Sequence, residues 1–466
     1  MKQLTFMFAL LFSVLLFNGC EQAPNLAPQE DLETTASFVT QENAEQAALA
    51  LLQQSGWALD AAGQAALAKS YPGFIKNYQR EQVSGNVYHY SYEVVVGEGD
   101  YDVVGLHRVV REDRPNRPIQ TEKAVFLLHG DAKRFATMFM PGAFSPSMAN
   151  DFGIAPYLAA NDVDVWGIDQ GWTLVPAEET DLSFMANWGL QRQIDDLRTA
   201  MAVARFARAR SGNGHHQMIL SGYSSGVATG FAALNEETQL PPGQRHISGF
   251  IPVDLAVKMN DPAMQNSFYV EALSFKEMLD NGYYHLDIPF IPIGNLARND
   301  PDGDSPILPG LTNLQAALFF GAGQIFGAGV PTHYLAGVLD GGFPVDLQLM
   351  SIEQWLDFLE AATPYEALLF LYEMEMMISD VEASPFDDYF GEIEVPILNV
   401  AAAGGFGAYT YYGISLMGSS DVTHLIPSIG APSLEEEFGH IDIFTAYNAE
   451  TLVWEPVLNW ISAHSD

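Results

Sequence analysis

The chain has 466 residues, 48% hydrophobic and 17% charged, a composition that supports a large buried core and excludes disordered and collagenous classes. Its 58 acidic and 20 basic residues leave a formal charge of −38, which speaks against nucleic acid, because that partner needs a basic footprint. Cys20 is the single cysteine, so no disulfide and no cysteine-ligated metal site can form within one chain.

The charge reads first as a solvated acidic surface. Self-repulsion on this scale opposes the compact state and is relieved by added ions, so adaptation to high salt is the sharper expectation. Lysine is scarcer than arginine.

In chain order, Met1–Lys2 is a minimal positive start and Leu4–Phe17 (LTFMFALLFSVLLF) is an uncharged apolar run. The run has the length of a secretory signal and is short for a membrane span. It ends in FNGC, where Gly19-Cys20 resembles the end of a bacterial lipobox, with Phe17 where that motif usually carries leucine. The resemblance implies lipidation of Cys20, a tether over residues 21–40, and attachment to the membranes of a bacterial cell envelope, on the periplasmic or surface side. An ordinary signal peptide cleaved elsewhere is the alternative.

Residues 42–69 read as one or two helices, broken near Ser55-Gly56 and stopped by Pro72-Gly73. Asn86–Arg111 alternates about a Gly-Glu-Gly-Asp turn and reads as a strand hairpin. Beyond it, apolar runs at residues 123–128, 163–168, 218–220 and 247–253 alternate with helical patterns at 188–210 and 227–234. Runs this short and this apolar suit strands buried on both faces, hence a parallel sheet with helices on both sides. The alternation then stops for residues 255–390, which are rich in helix, glycine and aromatics. It resumes with a strand at 395–402, a candidate strand at 422–426 and a closing helix at 451–461. A block whose two ends return to neighbouring strands is most simply a cap inserted over the sheet. The expected organisation is a signal at 1–20, a tether at 21–40, a core at 41–254 and 391–466, and the cap between.

The chemistry centres on QMILSGYSSGVA (217–228), a strand, a G-x-S-x-G turn and a helix. A serine at such a turn stands proud of the sheet. The helix beginning there favours negative charge on a bound carbonyl oxygen. Ser224 is therefore the candidate nucleophile and the N–H of Ser225 a candidate oxyanion donor. His129-Gly130-Asp131 follows an earlier strand, and the N–H of Asp131 is the candidate second donor. Of the later histidines, His440 lies in a loop between the last strand and the closing helix, where a general base can reach the serine. His424 falls in a strand and reads as buried or structural, His285 and His333 lie in the cap, and His464 is terminal.

These motifs, with DVWGID at 164–169 and GHIDIF at 439–444, resemble the α/β-hydrolase superfamily over residues 123–253 and 395–461. The end of the chain is similar to its acid-lipase branch. The resemblance implies a mostly parallel sheet with a helical cap, a Ser-His-Asp triad, no cofactor, and a small-molecule or lipid ester as substrate. Thioesterase, peptidase or amidase chemistry would use the same triad. A binding lipoprotein on a hydrolase scaffold is the non-catalytic alternative. The branch places its acid just after the strand at 395–402, where this chain has GGFGAYTYYGISLMGSSD. The first carboxylate is therefore Asp421, the favoured acid, with Asp254 after strand 247–253 as the rival. Asp442 reads as structural.

Two further patterns carry less. NDPDGDS (299–305) lacks the glycine and glutamate positions of a calcium-binding EF-hand loop, so no metal is expected there. His215-His216 reads as a surface turn.

Overall fold

The structure, a computed structural model, describes residues 41–54, 75–324 and 330–465. The expected signal, Cys20 and the tether lie outside these residues, as does the second half of the expected N-terminal helical region.

The first element is a helix, Gln41–Gln54, whose buried Ala44, Ala47, Ala48, Leu51 and Leu52 form one stripe. Strands β1 (Ile75–Ser84), β2 (Val87–Val95) and β3 (Val103–Arg114) make an antiparallel meander. A two-residue β4 (Arg117–Pro118) folds back on the end of β3. Then β5 (Ala124–Leu128), β6 (Asp164–Asp169), β7 (Met218–Tyr223) and β8 (Ile247–Val253) alternate with helices. After the insertion come β13 (Ile397–Val400) and β14 (Val422–Leu425). The sheet order is β1-β2-β3-β6-β5-β7-β8-β13-β14. From β6 to β14 all pairs are parallel, and β3 joins β6 antiparallel.

The sequence explains the sheet. β5, β6 and β7 are buried at every position, as strands covered on both faces must be. Two apolar clusters cover the faces, one with helix Leu190–Arg210 and the N-terminal helix, the other with helix Ile154–Ala160 and the closing helix. Between them, Asp164 takes bidentate hydrogen bonds from Arg108 (2.7 and 2.8 Å) and one from Arg208 (2.6 Å). These charges are fully buried, and the two guanidiniums hold the Asp164 carboxyl below its ordinary range against the burial that would raise it.

β1 departs from the expected organisation: its polar sequence IKNYQREQVS carries no clean alternation, yet it pairs along β2. The closing helix is also split, into a π-turn at Glu450–Trp454 and an α-helix at Glu455–Ala463.

Between β8 and β13, helices Pro262–Asp280, Phe290–Asn299, Asn313–Ala322, Ile352–Glu360 and Leu368–Ser379 are joined by two small two-stranded sheets. Those sheets pair β9 (His285–Asp287) with β12 (Tyr365–Ala367), and β10 (Gly337–Asp340) with β11 (Phe343–Leu347). Among the described residues no helix is long and apolar enough to cross a membrane.

Candidate active site

The carboxyl ends of β5, β7, β8 and β13 deliver the site. β7 ends at Tyr223, and Ser224 turns the chain with φ 53° and ψ −128°, a conformation L-residues rarely adopt, before helix Ser225–Thr238 starts. The Ser224 N–H donates to the Val253 carbonyl at 3.0 Å, which fixes the turn to the end of β8. The turn is too tight for side chains around it. A Cβ on Gly222 would lie 2.3 Å from the Gly226 carbonyl oxygen. A Cβ on Gly130 would lie 2.5 Å from that of Ser224, so the loop after β5 packs directly on the serine.

One residue past β8, Asp254 is fully buried, with φ 56°. Its Oδ1 accepts the N–H groups of Ala402 (2.9 Å) and Phe406 (3.0 Å), both from the loop after β13. Its Oδ2 meets His440 Nδ1 at 2.7 Å. A carboxylate with that partner fixes Nδ1 as the protonated ring nitrogen, leaving Nε2 as the acceptor. The His440 ring stacks on Tyr223 at 4.6 Å between centroids, and the His440 backbone N–H donates to the His333 carbonyl at 3.0 Å. His333, in the insertion, is itself fully buried and bonded to Leu335 O through Nδ1. Asp442 supports the same loop by accepting from Gly439 and Ala336, both at 2.8 Å. Burial pushes its carboxyl up to about 7.

The carboxylate behind His440 is therefore that of Asp254, and the favoured Asp421 is elsewhere. Its carbonyl accepts from the N–H of Ile397, the first residue of β13, so Asp421 sits at the amino edge of the sheet. Its half-exposed side chain faces His464 at 3.3 Å. The reason is strand direction. β14 runs parallel to β13, and a residue that precedes a parallel strand starts at the edge opposite the serine. His424 lies on β14 as expected, but on this edge strand its residue is exposed rather than buried.

The loop Gly130–Arg134 is gripped by the insertion. Ala132 holds φ 59°. Its carbonyl accepts from Thr363 N–H at 2.8 Å, and its N–H donates to the carboxyl of Glu366. The Lys133 ammonium, buried against the Phe358 and Phe290 rings, donates to the Phe358 carbonyl at 2.5 Å, and burial holds its pKa well down. Burial pushes Glu366 well up, reinforced by the nearby Asp131 charge. Burial likewise raises Asp131, against the Ser225 hydroxyl and His440 beside it. The N–H groups of Asp131 and Ser225 meet no protein acceptor among the described residues. Neither Thr363 nor Glu366 stands out in sequence. Among the described residues no group of three or more His, Cys, Asp or Glu could hold a metal ion.

No protein-family model matches the chain, and no curated protein does either. Solved structures do match. One is a candidate lipase from Sulfolobus solfataricus, 19% identical with a TM-score of 0.54, covering 83% of this chain and 99% of that one. A soluble variant of monoglyceride lipase from Saccharomyces cerevisiae (12%, TM-score 0.41) covers 84% of this chain and 95% of that one. A metagenome-derived lipolytic enzyme (16%, TM-score 0.37) covers 74% and 96%. At these identities the likeness is one of fold: a mostly parallel mixed sheet with helices on both sides, the α/β-hydrolase fold.

Proposed function

We propose that this chain is a serine hydrolase of carboxylic esters. Ser224 Oγ attacks the acyl carbonyl while His440 Nε2 takes its proton. His440 returns that proton to the departing alkoxide, leaving an ester on Ser224. Water, deprotonated by the same imidazole, attacks the acyl-enzyme, and the proton passes back to Ser224 Oγ as the carboxylic acid leaves. Asp254 holds the ring in the Nδ1–H tautomer and stabilises the imidazolium. The N–H groups of Asp131 and Ser225 receive the negative oxygen of the tetrahedral intermediate, at the start of a helix whose dipole favours that charge.

The observation that carries the reading is the 2.7 Å contact of His440 Nδ1 with Asp254, set beside a serine at φ 53°. The Asp254 carboxylate behind His440 supports this reading over that of a non-catalytic binding lipoprotein on a hydrolase scaffold. The candidate lipase from Sulfolobus solfataricus that shares the fold is in keeping with an ester substrate. In this proposal the enzyme is exported, lipidated at Cys20 and held at the cell envelope by a tether of 20 residues.

Steady-state hydrolysis of short- and long-chain nitrophenyl esters tests the catalytic reading. Wild type should turn over at least one series, and Ser224→Ala should abolish it. Turnover that survives Ser224→Ala moves the nucleophile elsewhere.

A further inference from the structure

Four buried acids show how this chain keeps a carboxyl inside. Asp164 faces two guanidiniums, Asp254 and Asp442 each accept two backbone N–H groups, and Glu237 accepts those of His246 and Ile247. The acids beside the serine are kept differently. Asp131 follows β5, Glu271 lies on helix Pro262–Asp280 and Glu375 on helix Leu368–Ser379. None of the three carboxyls forms an ion pair or takes a hydrogen bond from a backbone N–H among the described residues. Gly130 packs directly on Ser224, and the charge of the next residue, Asp131, acts on His440, Tyr223 and Tyr334, so that carboxyl faces the site. The same charge reaches Glu375, which also feels Glu271 across the two packed helices. No lysine or arginine offsets Glu375, and burial with these two like charges pushes it well up. The side chain of Lys133, close by in the chain, is turned to the Phe358 carbonyl instead.

Ser224, Asp131, Glu271 and Glu375 each keep partial exposure, while one oxygen of Asp131 and one of Glu375 are wholly buried. Groups placed so deep that still keep some exposure line a narrow cleft. Ser225 gives an independent sign of what the cleft takes. Its side chain is 1% exposed and its hydroxyl is turned to the Asp131 carboxyl, yet neither the hydroxyl nor Asp131 Oδ1 reaches hydrogen-bond geometry with any described group. A buried hydroxyl and a buried carboxyl oxygen left open beside each other leave a place for a donor that bonds to both. The donor set does not suit a metal ion, since among the described residues no three acids or histidines are placed to hold one. An ammonium suits it, because each of its three N–H groups donates and its charge answers the unpaired carboxyls.

We propose that this cleft takes the ammonium group of an aminoacyl ester, held by Asp131 and Ser225 in the field of Glu375 and Glu271. Asp131 is also the residue whose N–H receives the oxyanion in the proposed mechanism. An ammonium on its carboxylate therefore lies within a few bonds of the acyl carbonyl, which places the cation on the acyl part of the substrate. The cation has a second effect. An ionised Asp131 opposes the negative oxygen of the tetrahedral intermediate, and the bound ammonium offsets that charge where it matters. The proposal rests on the ester-hydrolase reading and names its substrate class.

The test compares methyl leucinate with methyl 4-methylpentanoate, which differ only in the α-ammonium, at about pH 6.5, where that amine is charged. Methanol release gives kcat and KM, and calorimetry on Ser224→Ala gives binding without turnover. Wild type should favour the leucinate by about tenfold or more in kcat/KM, as a charge-assisted contact implies, with Ser224→Ala binding the leucinate and not the neutral ester. The preference should persist in 0.5 M NaCl, because a buried pair is poorly screened. Glu375→Gln and Glu271→Gln, both checked by thermal unfolding, should each weaken the leucinate through KM and raise the rate on the neutral ester. Equal kcat/KM for the two esters, or a ratio unchanged in both variants, overturns the cleft and leaves ester hydrolysis standing. A preference that salt abolishes and the variants do not alter belongs to the acidic surface as a whole and also overturns it. Binding of the leucinate to Ser224→Ala, lost with Glu375→Gln, in a protein whose wild type turns over neither ester sustains the cleft and overturns the catalytic reading instead.

Discussion

Replacing Asp254 by asparagine isolates the charge that His440 needs. Asparagine keeps one oxygen, which can still accept from Ala402 and Phe406 where Asp254 now accepts at 2.9 and 3.0 Å. That leaves its NH₂ facing His440 Nδ1, where Oδ2 now sits at 2.7 Å. A donor in that place forces Nδ1 to accept and moves the ring proton to Nε2, so the ring cannot take the serine proton. In serine proteases the same exchange lowers kcat by about 10⁴, and at 1.36 kcal/mol per decade that is about 5.5 kcal/mol of transition-state stabilisation. A full effect is expected here because Asp254 is wholly buried, so no solvent carboxylate or water stands in for it. Asp421→Asn is the matched control, since that side chain is half-exposed and faces His464. The assay is steady-state hydrolysis of a soluble nitrophenyl ester, with thermal unfolding to show that both variants are folded. Asp254→Asn within tenfold of wild type would refute the reasoning, and so would a large loss in Asp421→Asn.

Other consequences follow from the same contacts. Glu366→Ala frees the Ala132 N–H and lets the oxyanion loop relax, so kcat should fall roughly tenfold to hundredfold, less than the 10²–10³ of losing a donor outright. KM should change little, and Glu366→Gln, whose oxygen can accept the same bond, should restore most of the rate. Asp442 has its pKa raised to about 7, so the folded state binds the extra proton between the ordinary carboxylate range and about 7, and its contribution to stability is lost as pH rises through that window. The melting temperature of Asp442→Asn relative to wild type should therefore be higher at pH 8 than at pH 5, and a pH-independent difference would contradict the assignment. The formal charge of −38 predicts a melting temperature that rises between low and molar NaCl, checked by calorimetry.

What could be read in sequence was set by local physics. β5 to β8 are continuous apolar runs, because strands covered on both faces leave no polar position. β1 escaped notice because its register along β2 leaves most of its residues partly or fully exposed, with only Ile75 buried. The strand-turn-helix that carries Ser224 was legible because the turn demands glycines on both sides, and the loop that carries His440 was legible from its place between the last strand and the closing helix. Asp421 was favoured because the resembled branch places its acid after the strand at 395–402 and Asp421 is the first carboxylate there, but the Ser-Asp-His chain order is met by Asp254 as well. Strand direction separates them: Asp254 follows a strand and Asp421 precedes one, and only the first lies at the serine's edge. Glu366 had no local signal, since its partner Ala132 is 234 residues away and the carboxyl acts on a backbone N–H.

The central claim is that Ser224 is the nucleophile of a working triad. Reaction of the purified protein with a fluorophosphonate, followed by peptide mass spectrometry, measures it directly. The account predicts one phosphonyl group per chain on the peptide carrying Ser224, lost in Ser224→Ala, retained in Ser225→Ala and strongly slowed in Asp254→Asn. Labelling at another residue, or none in a folded protein that still hydrolyses esters, would contradict it.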